Sequence, residues 1–186
     1  MKIMKRLSEA GFSYIDVMIA LVILMVGVLA LLAGLSGAVL QAKGQEQQLI
    51  AKQIATSTME SIMSVKETDP ARLGWNAVGN VGSNPVGNPV VFRGVFLVGF
   101  QPVLPDGGPD EVLGTADDTG AAIPLFQRRI TITDICDPSR PSYNCLIPGT
   151  FRPRIRSVRV TVTYFVGTIQ RQEQVTTVLT DYVLTN

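Results

Sequence analysis

The chain of 186 residues contains no histidine and only two cysteines. The absence of histidine removes the commonest general base, the commonest metal ligand and the base of Ser-His and Cys-His nucleophile pairs. The sequence also has no GxxxxGK phosphate loop and no GxGxxG dinucleotide motif. Its 16 basic and 15 acidic side chains nearly balance, so charge gives no reason to expect nucleic acid as a partner. These absences remove the commonest catalytic and nucleotide-binding arrangements.

Charge is also missing from one long stretch near the N-terminus. No charged residue occurs among the 24 positions from Val17 to Leu40. As a helix this stretch extends about 36 Å, which exceeds the hydrocarbon core of a bilayer at about 30 Å. The basic residues before it predict a single span with a cytoplasmic N-terminus. A secretory signal peptide is the competing interpretation, but its apolar region is shorter, about 7–15 residues.

One acid, Asp16, stands at the head of this apolar stretch. A carboxylate close to a membrane core is costly, and such groups are usually paired. The alternative is a carboxylate that is merely solvated at the level of the lipid headgroups.

The residues around Asp16 resemble the type IV prepilin signature. That signature is a short cationic leader ending in glycine, here Gly11, followed by Phe12, a small hydroxyl residue and, after two more residues, an acid. The family includes pilins and the pseudopilins of type II secretion. The resemblance implies cleavage after Gly11 by a prepilin peptidase, N-methylation of Phe12, and pairing of Asp16 with the Phe12 amine of its own or a neighbouring subunit. The family usually has glutamate where this chain has the shorter aspartate.

The sequence divides into four segments. We predict a leader peptide over 1–11, a membrane-spanning and assembly helix over 12–40, an amphipathic helix over 41–67, and a globular β domain over 68–186. The amphipathic half carries apolar residues at helical spacing and is expected to dock on a sheet. These residues are Ile50, Ile54, Met59, Ile62 and Met63. Asp69-Pro70 is expected to end the helix, because the residue before proline avoids the α region.

Small residues recur along the apolar helix at heptad-like spacing, which favours close packing between helices. They are Gly27, Ala30, Gly34, Gly37 and Gly44. The alternative is the ordinary tolerance of membrane helices for glycine. The resemblance implies that residues 34–37 are where the helix melts locally inside a filament.

Strand-like runs occur over 90–92, 95–100, 126–135, 158–166 and 174–184, and the last two are expected to form a hairpin through Gly167-Thr168. The Gly/Asn/Pro-rich segment 68–90 is expected to be a loop, with Trp75 pinning it to the core. We therefore predict an α+β fold in which a long N-terminal helix packs on an antiparallel β-sheet. The resemblance makes this arrangement pilin-like.

An acidic, glycine-rich segment runs from Pro105 to Asp118. Hard cations such as calcium are bound by oxygen ligands of this kind, although the spacing is not that of an EF-hand. The candidate ligands for Ca²⁺ are Asp106, Asp110, Asp117 and Asp118. The alternative is a solvated acidic turn.

Two further features lie in the C-terminal half. Cys136 and Cys145 are expected to form a disulfide, because the chain beyond the span is predicted to be outside the cytoplasm. The arginines at positions 152, 154, 156 and 159 form a basic run, expected to be a solvated sheet face, with contact to an acidic patch as the alternative.

The resemblance, together with these features, implies a structural subunit of a type IV pilus, a minor pilin that is not an enzyme. Its partners would be other pilin subunits, the prepilin peptidase, the inner-membrane assembly machinery and the membrane. It would reside in the bacterial inner membrane before assembly, and in the periplasm or on the cell surface afterwards. The alternatives are a type II secretion pseudopilin and an anchored envelope-binding domain that never polymerises.

Overall fold

The computed structural model describes residues 13–67, 73–136 and 153–181. They form one long helix and two antiparallel sheets, which confirms the predicted α+β class. The chain divides into two compact units, Met1–Lys43 and Gly44–Asn186. The elements in chain order are α1 (Tyr14–Glu67), β1 (Pro85–Val86), β2 (Val91–Phe92), β3 (Gln101–Pro102), a 3-10 turn (Gly108–Asp110), β4 (Gln127–Ile135), β5 (Ile155–Val166) and β6 (Ile169–Thr180).

The first unit contains the apolar part of α1. Its described residues are helical from Tyr14, and every one of their side chains is exposed in the isolated chain. α1 is the one helix in the described part of the chain that is long and apolar enough to cross a membrane. The predicted apolar helix is therefore confirmed, while the membrane span itself stays a prediction.

In the second unit, α1 buries one side. The buried positions recur three or four residues apart, which is the spacing of a single helix face. They are Gly44, Ala51, Ile54, Ala55, Thr58, Met59, Ile62 and Val65. Met63 was expected in this stripe but is 39% exposed, since it is turned about 100° from Ile62 on the helix. α1 ends at Glu67, and the expected stop at Asp69-Pro70 lies outside the described residues.

The larger sheet has the strand order β3-β4-β5-β6, with every neighbouring pair antiparallel. β5 is central, and its alternate residues Val158, Val160 and Val162 are fully buried in the same core cluster as the apolar face of α1. Strands β5 and β6 are joined by a two-residue turn, in which Gly167 has φ +62°. Glycine at this position suits the hairpin turns whose twist matches that of the strands.

The predicted strands are confirmed in part. The hairpin through Gly167-Thr168 is present, although β5 and β6 both begin earlier than expected. The strand predicted over 126–135 coincides with β4, and β2 lies within 90–92. The strand predicted over 95–100 is wrong, because Phe96 makes a single bridge to Asn80 and Gly99, at φ +83°, turns the chain out of the extended conformation.

Side-chain hydrogen bonds tie the long connection between α1 and β4 to the sheet. Asn80 donates from its amide to the Ile130 carbonyl at 2.9 Å and accepts from the Ile132 amide at 3.0 Å, which extends the edge of β4 beyond its short pairing with β3. Trp75 packs against the core and donates its indole N–H to the Pro153 carbonyl at 2.8 Å. The prediction that Trp75 pins this loop is therefore confirmed.

Candidate functional site

The N-terminus of α1 is closed by Ser13 and Asp16. The Asp16 carboxylate accepts a hydrogen bond from the Ser13 amide at 3.2 Å, and the Ser13 hydroxyl accepts one from the Ile15 amide at 3.4 Å. The Asp16 bond is the acid's half of a capping box, and the Ser13 hydroxyl caps the second helical amide. An acid at this position also interacts favourably with the positive end of the helix dipole. The carboxylate therefore lies beside the first backbone amide that follows Phe12.

This geometry gives Asp16 a role within its own chain. An N-terminal cap stabilises a helix by about 1 kcal/mol, and the short aspartate side chain reaches the Ser13 amide without help from a neighbour. Gly11 and Phe12 lie outside the described residues. Cleavage after Gly11, methylation of Phe12 and pairing of Asp16 with an amine therefore stay predictions.

The glycines of the apolar helix leave its backbone accessible. A Cβ built at Gly27, Gly34 or Gly37 would find no neighbouring atom within 4 Å. Gly44 differs from them, because it is buried and its Cβ would lie 3.4 Å from a Val166 methyl group. Three members of the stripe are thus open to another helix, whereas Gly44 packs inside the second unit. α1 is continuous through residues 34–37, and the expected melting inside a filament stays a prediction.

The acidic segment folds into a closed loop. Asp106 and Thr119 exchange two backbone hydrogen bonds at its base, with N–O distances of 3.3 and 2.8 Å. Within the loop, the Asp110 carboxylate accepts from the Val112 amide at 2.8 Å, and Asp117 accepts from the Thr115 hydroxyl at 2.6 Å. These aspartates therefore accept hydrogen bonds from amide and hydroxyl groups of the same loop.

Asp118 anchors the loop to the core. Its carboxylate accepts from the Gly114 amide at 2.9 Å and forms an ion pair with Arg128 at 2.7 Å. Both side chains are nearly inaccessible, at 5% and 3% exposure. Arg128 also donates to the Thr58 hydroxyl of α1 at 3.2 Å, and burial lowers the pKa of its guanidinium. A second link joins the Leu113 amide to the Ser61 hydroxyl at 2.9 Å.

The pKa values of two loop carboxylates move in opposite directions. Burial raises the pKa of Asp110, and the charges of Asp117 and Asp118 add to this increase. The hydroxyl of Thr115 lowers the pKa of Asp117 by donating to its carboxylate. The same few residues therefore contain one acid that resists ionisation and another that ionises more readily than usual.

The four candidate calcium ligands do not form a cation site, although Asp117 and Asp118 both accept from the Thr115 hydroxyl, at 2.6 and 3.3 Å. Asp118 already forms an ion pair with Arg128 and accepts hydrogen bonds from backbone amides of the loop. Asp106 accepts from the Gly108 amide at 3.1 Å. Across residues 13–67, 73–136 and 153–181, no group of three or more acids, cysteines or histidines could hold a metal ion. This geometry does not favour a calcium site, and calcium binding stays a prediction. The alternative of a solvated acidic turn is wrong at Asp118, whose side chain is 5% exposed.

A small pocket of about 100 Å³ lies beside the Asp118–Arg128 pair. Its walls are largely apolar and include Leu97, Leu104 and Ile130. Such a volume is well below the several hundred Å³ of a typical small-molecule site. The pocket is therefore too small for an ordinary substrate or cofactor.

A second buried arginine, Arg156, lies on the inner face of β5. It is 2% exposed and donates to the Val78 carbonyl at 2.6 Å, the Asn84 side chain at 2.8 Å and the Asp134 carboxylate at 3.0 Å. Burial lowers the pKa of its guanidinium. The solvated face predicted for the basic run is therefore wrong at Arg156.

The rest of the basic run behaves differently. Arg154 and Arg159 are exposed as predicted, and Arg152 lies outside the described residues. Arg156 departs from Arg159 because it shares the inward parity of Val158 and Val160 on the strand, whereas Arg154 precedes the first residue of β5.

The predicted disulfide is only half within the described part of the chain. Cys136 directly follows β4 and is not a free cysteine, whereas Cys145 lies outside the described residues. Their pairing stays a prediction.

The sequence reasoning missed the two buried arginines and their partners. The alternation of the strands does indicate that both arginines face inward. Arg128 is two residues from Ile130 on β4, and Arg156 is two residues from Val158 on β5, so each lies on the buried face of its strand. A charged residue at an inward position of an alternating strand predicts a buried ion pair. Asn80 and Asn84, by contrast, lie in a loop where no periodicity points to their contacts.

No protein-family model, curated protein or solved structure matches this chain.

Proposed function

We propose that this chain is a structural subunit of a type IV pilus, a minor pilin with no enzymatic activity. It is made as a precursor in the bacterial inner membrane, with its N-terminus in the cytoplasm. Prepilin peptidase cleaves it after Gly11 and Phe12 is N-methylated. The assembly machinery then extracts the subunit and packs it through α1 with other pilin subunits, in the periplasm and at the cell surface.

One observation carries the proposal. Asp16 is the only charge in an otherwise apolar first part of α1, and its carboxylate lies 3.2 Å from the Ser13 amide. Cleavage after Gly11 would create a positive amine at the adjacent residue, Phe12. The attraction between opposite charges grows as the dielectric falls, so the pair would be strongest at the membrane or in a filament core.

The exposed surface of the helix supports the same function. Its apolar residues from Val17 to Leu40 have no partner inside the described chain and need lipid or other helices around them. The open backbone at Gly27, Gly34 and Gly37 allows a second helix to approach closely. A helix that is stored in lipid and later packed in a filament satisfies both requirements.

The decisive experiment is mass spectrometry of the N-terminus in the producing bacterium. The proposal expects a chain that begins with methylated Phe12, and an uncut chain when prepilin peptidase is deleted. Gly11→Val should block cleavage, whereas Ser8→Ala in the same leader should leave it intact. An intact Met1 in wild-type cells would support an anchored domain that never polymerises.

A type II secretion pseudopilin remains the second candidate, because the resemblance covers both assemblies. The two are separated by detecting the processed chain in sheared surface filaments and by measuring protein secretion after its deletion. Presence in pili with normal secretion supports the pilin. Absence from pili with lost secretion supports the pseudopilin.

A further inference from the structure

Strand β6 forms an open edge of the larger sheet. Its twelve residues, Ile169 to Thr180, pair with β5 along their whole length. In the described ranges no strand pairs with the other side of β6. The opposite edge of the sheet is different, because β3 and the side chain of Asn80 cover part of β4.

The backbone groups that face this edge follow from the turn. The two-residue turn joins Val166 and Ile169 as a hydrogen-bonded pair, and such pairs alternate along an antiparallel ladder. Odd-numbered residues of β6 therefore direct their N–H and C=O groups to β5. Even-numbered residues, beginning with Gln170, Gln172 and Gln174, direct theirs to the open edge.

β6 lacks several of the features that commonly protect a sheet edge. The segment contains no proline, lysine or glycine, which are among the usual means of protecting an edge. Ile169 is 62% exposed and Val178 is 54% exposed. An edge of this length that carries exposed apolar side chains is a template for a further strand.

The charged side chains of β6 favour a second copy of β6 as the pairing strand. β6 carries only two, Arg171 and Glu173, which are opposite in sign and share one face of the strand. The Glu173 carboxylate also accepts a hydrogen bond from the Gln48 side chain of α1 at 2.9 Å, and its second oxygen is left for a partner. An antiparallel copy of β6 centred on Gln172 would place each Arg171 opposite the partner's Glu173. A parallel copy in register would place like charges opposite one another, which is destabilising.

The backbone supports the same register. A pairing centred on Gln172 matches even-numbered residues with even-numbered ones, so Gln172 meets Gln172 and Gln170 meets Gln174. All of these direct their hydrogen-bonding groups to the open edge. Ile169 would then lie opposite Val175, which removes exposed apolar surface from water.

We propose that β6 pairs with β6 of a second copy of this chain, antiparallel and with the two-fold axis at Gln172. Each dimer contains two Arg171–Glu173 pairs and one continuous sheet. The pairing is isologous, so it closes at two chains. It depends only on the second unit and is independent of whether the chain is a pilin.

Cysteine cross-linking of the full chain in the membranes of producing cells tests the register. Gln172→Cys should give a disulfide-linked dimer after mild oxidation, because the paired Cα atoms would be about 5.5 Å apart. Gln170→Cys and Gln174→Cys should not dimerise alone but should cross-link when produced together. The unsubstituted chain provides the background from its native cysteines.

Charge exchange tests the partner's identity. Arg171→Glu should reduce the cross-linked Gln172→Cys dimer by at least about tenfold, since both ion pairs become repulsive. Glu173→Arg should do the same. Production of the two variants together should restore the dimer, because each heterodimer again carries opposite charges at both positions.

The outcomes that overturn the proposal are equally specific. Equal cross-linking by Gln170→Cys, Gln172→Cys and Gln174→Cys would show collision without register. Cross-linking of Gln172→Cys only to a different protein would assign the edge to another partner. Dimers that are insensitive to Arg171→Glu would show that these charges do not select it.

Discussion

The guanidinium of Arg156 lies 4.4 Å from the centre of the Trp75 ring and donates to the Trp75 backbone carbonyl. Arg156, on a central strand, thus contacts both the ring and the backbone of Trp75 in the first loop after α1. The same guanidinium donates to the Val78 carbonyl and to the Asn84 side chain, so it supplies donors to a loop that contains little regular structure.

We expect Arg156→Ala to lower the free energy of unfolding by about 3 kcal/mol. The substitution would remove the charged donor that the Trp75 and Val78 carbonyls share, which leaves them only the Val78 amide and the Asn84 side chain as donors. It would also remove the stacking on the indole. The measurement is denaturant unfolding of the full chain in detergent micelles, followed by fluorescence of Trp75, which is the only tryptophan.

Arg159→Ala is the matched control for this experiment. It removes an exposed arginine from the same strand and should change stability by less than about 0.5 kcal/mol. Equal unfolding midpoints for the two variants would contradict a structural role for Arg156.

Asp118→Asn should destabilise the second unit by about 3 kcal/mol, because it leaves the buried charge of Arg128 without its partner. It should also release the loop between Asp106 and Thr119 to limited proteolysis. Asp106→Asn removes an exposed carboxylate from the same loop and should cost about 1 kcal/mol or less. If both variants were cleaved at the same rate, the Asp118–Arg128 pair would not be the anchor.

Calcium should release little heat on titration into the full chain. Asp118 already serves Arg128, and among the described residues no three acids form a group that could bind a cation. The measurement is isothermal titration calorimetry in detergent, with Asp110→Asn as the comparison. A stoichiometric heat that is lost in Asp110→Asn would instead establish the calcium site among these aspartates.

Asp117 should contribute stability that is lost in acid. Its folded pKa is lowered by the Thr115 hydroxyl, so the contribution is present above the unfolded pKa of about 3.9 and disappears as pH falls through the folded value. Asp110 acts in the opposite sense, because its raised folded pKa makes stability fall as pH rises above about 3.9.

Thermal unfolding between pH 6 and pH 2 separates these two groups. Asp117→Asn should reduce the loss of stability on acidification, and Asp110→Asn should increase it. Parallel pH profiles for the two variants would show that the loop does not hold these carboxylates as the structure places them.

Periodicity explains which parts of the fold were predictable. The apolar run of α1, its amphipathic continuation and the alternation of β4 and β5 each repeat over many residues, so the signal accumulates. The segment 95–100 has the composition of a strand, but Gly99 at positive φ and a single buried Phe96 decide its conformation. The conformation of such short runs is determined by tertiary contacts rather than by the strand propensity of their residues.

In the acidic loop, the sequence does not predict which groups the aspartates contact. Its composition identifies aspartates but not their partners, and the partner of Asp118 is ten positions away on β4. The parity of Arg128 on that strand was the one available clue. For Asp16, the sequence places the acid at the head of the apolar helix, but its bond to the Ser13 amide required coordinates, and its pairing with an amine stays a prediction.

The last prediction separates the two roles of Asp16, as a helix cap and as a charge for a neighbouring amine. Asp16→Asn keeps a side-chain oxygen that can accept from the Ser13 amide but removes the charge, so α1 should stay helical while incorporation into sheared filaments falls at least about tenfold. Asp16→Glu keeps the charge and should preserve incorporation. Ser13→Ala removes the cap bond of the hydroxyl and should cost about 1 kcal/mol of helix stability with incorporation retained. Normal incorporation of Asp16→Asn would show that the carboxylate only caps its own helix.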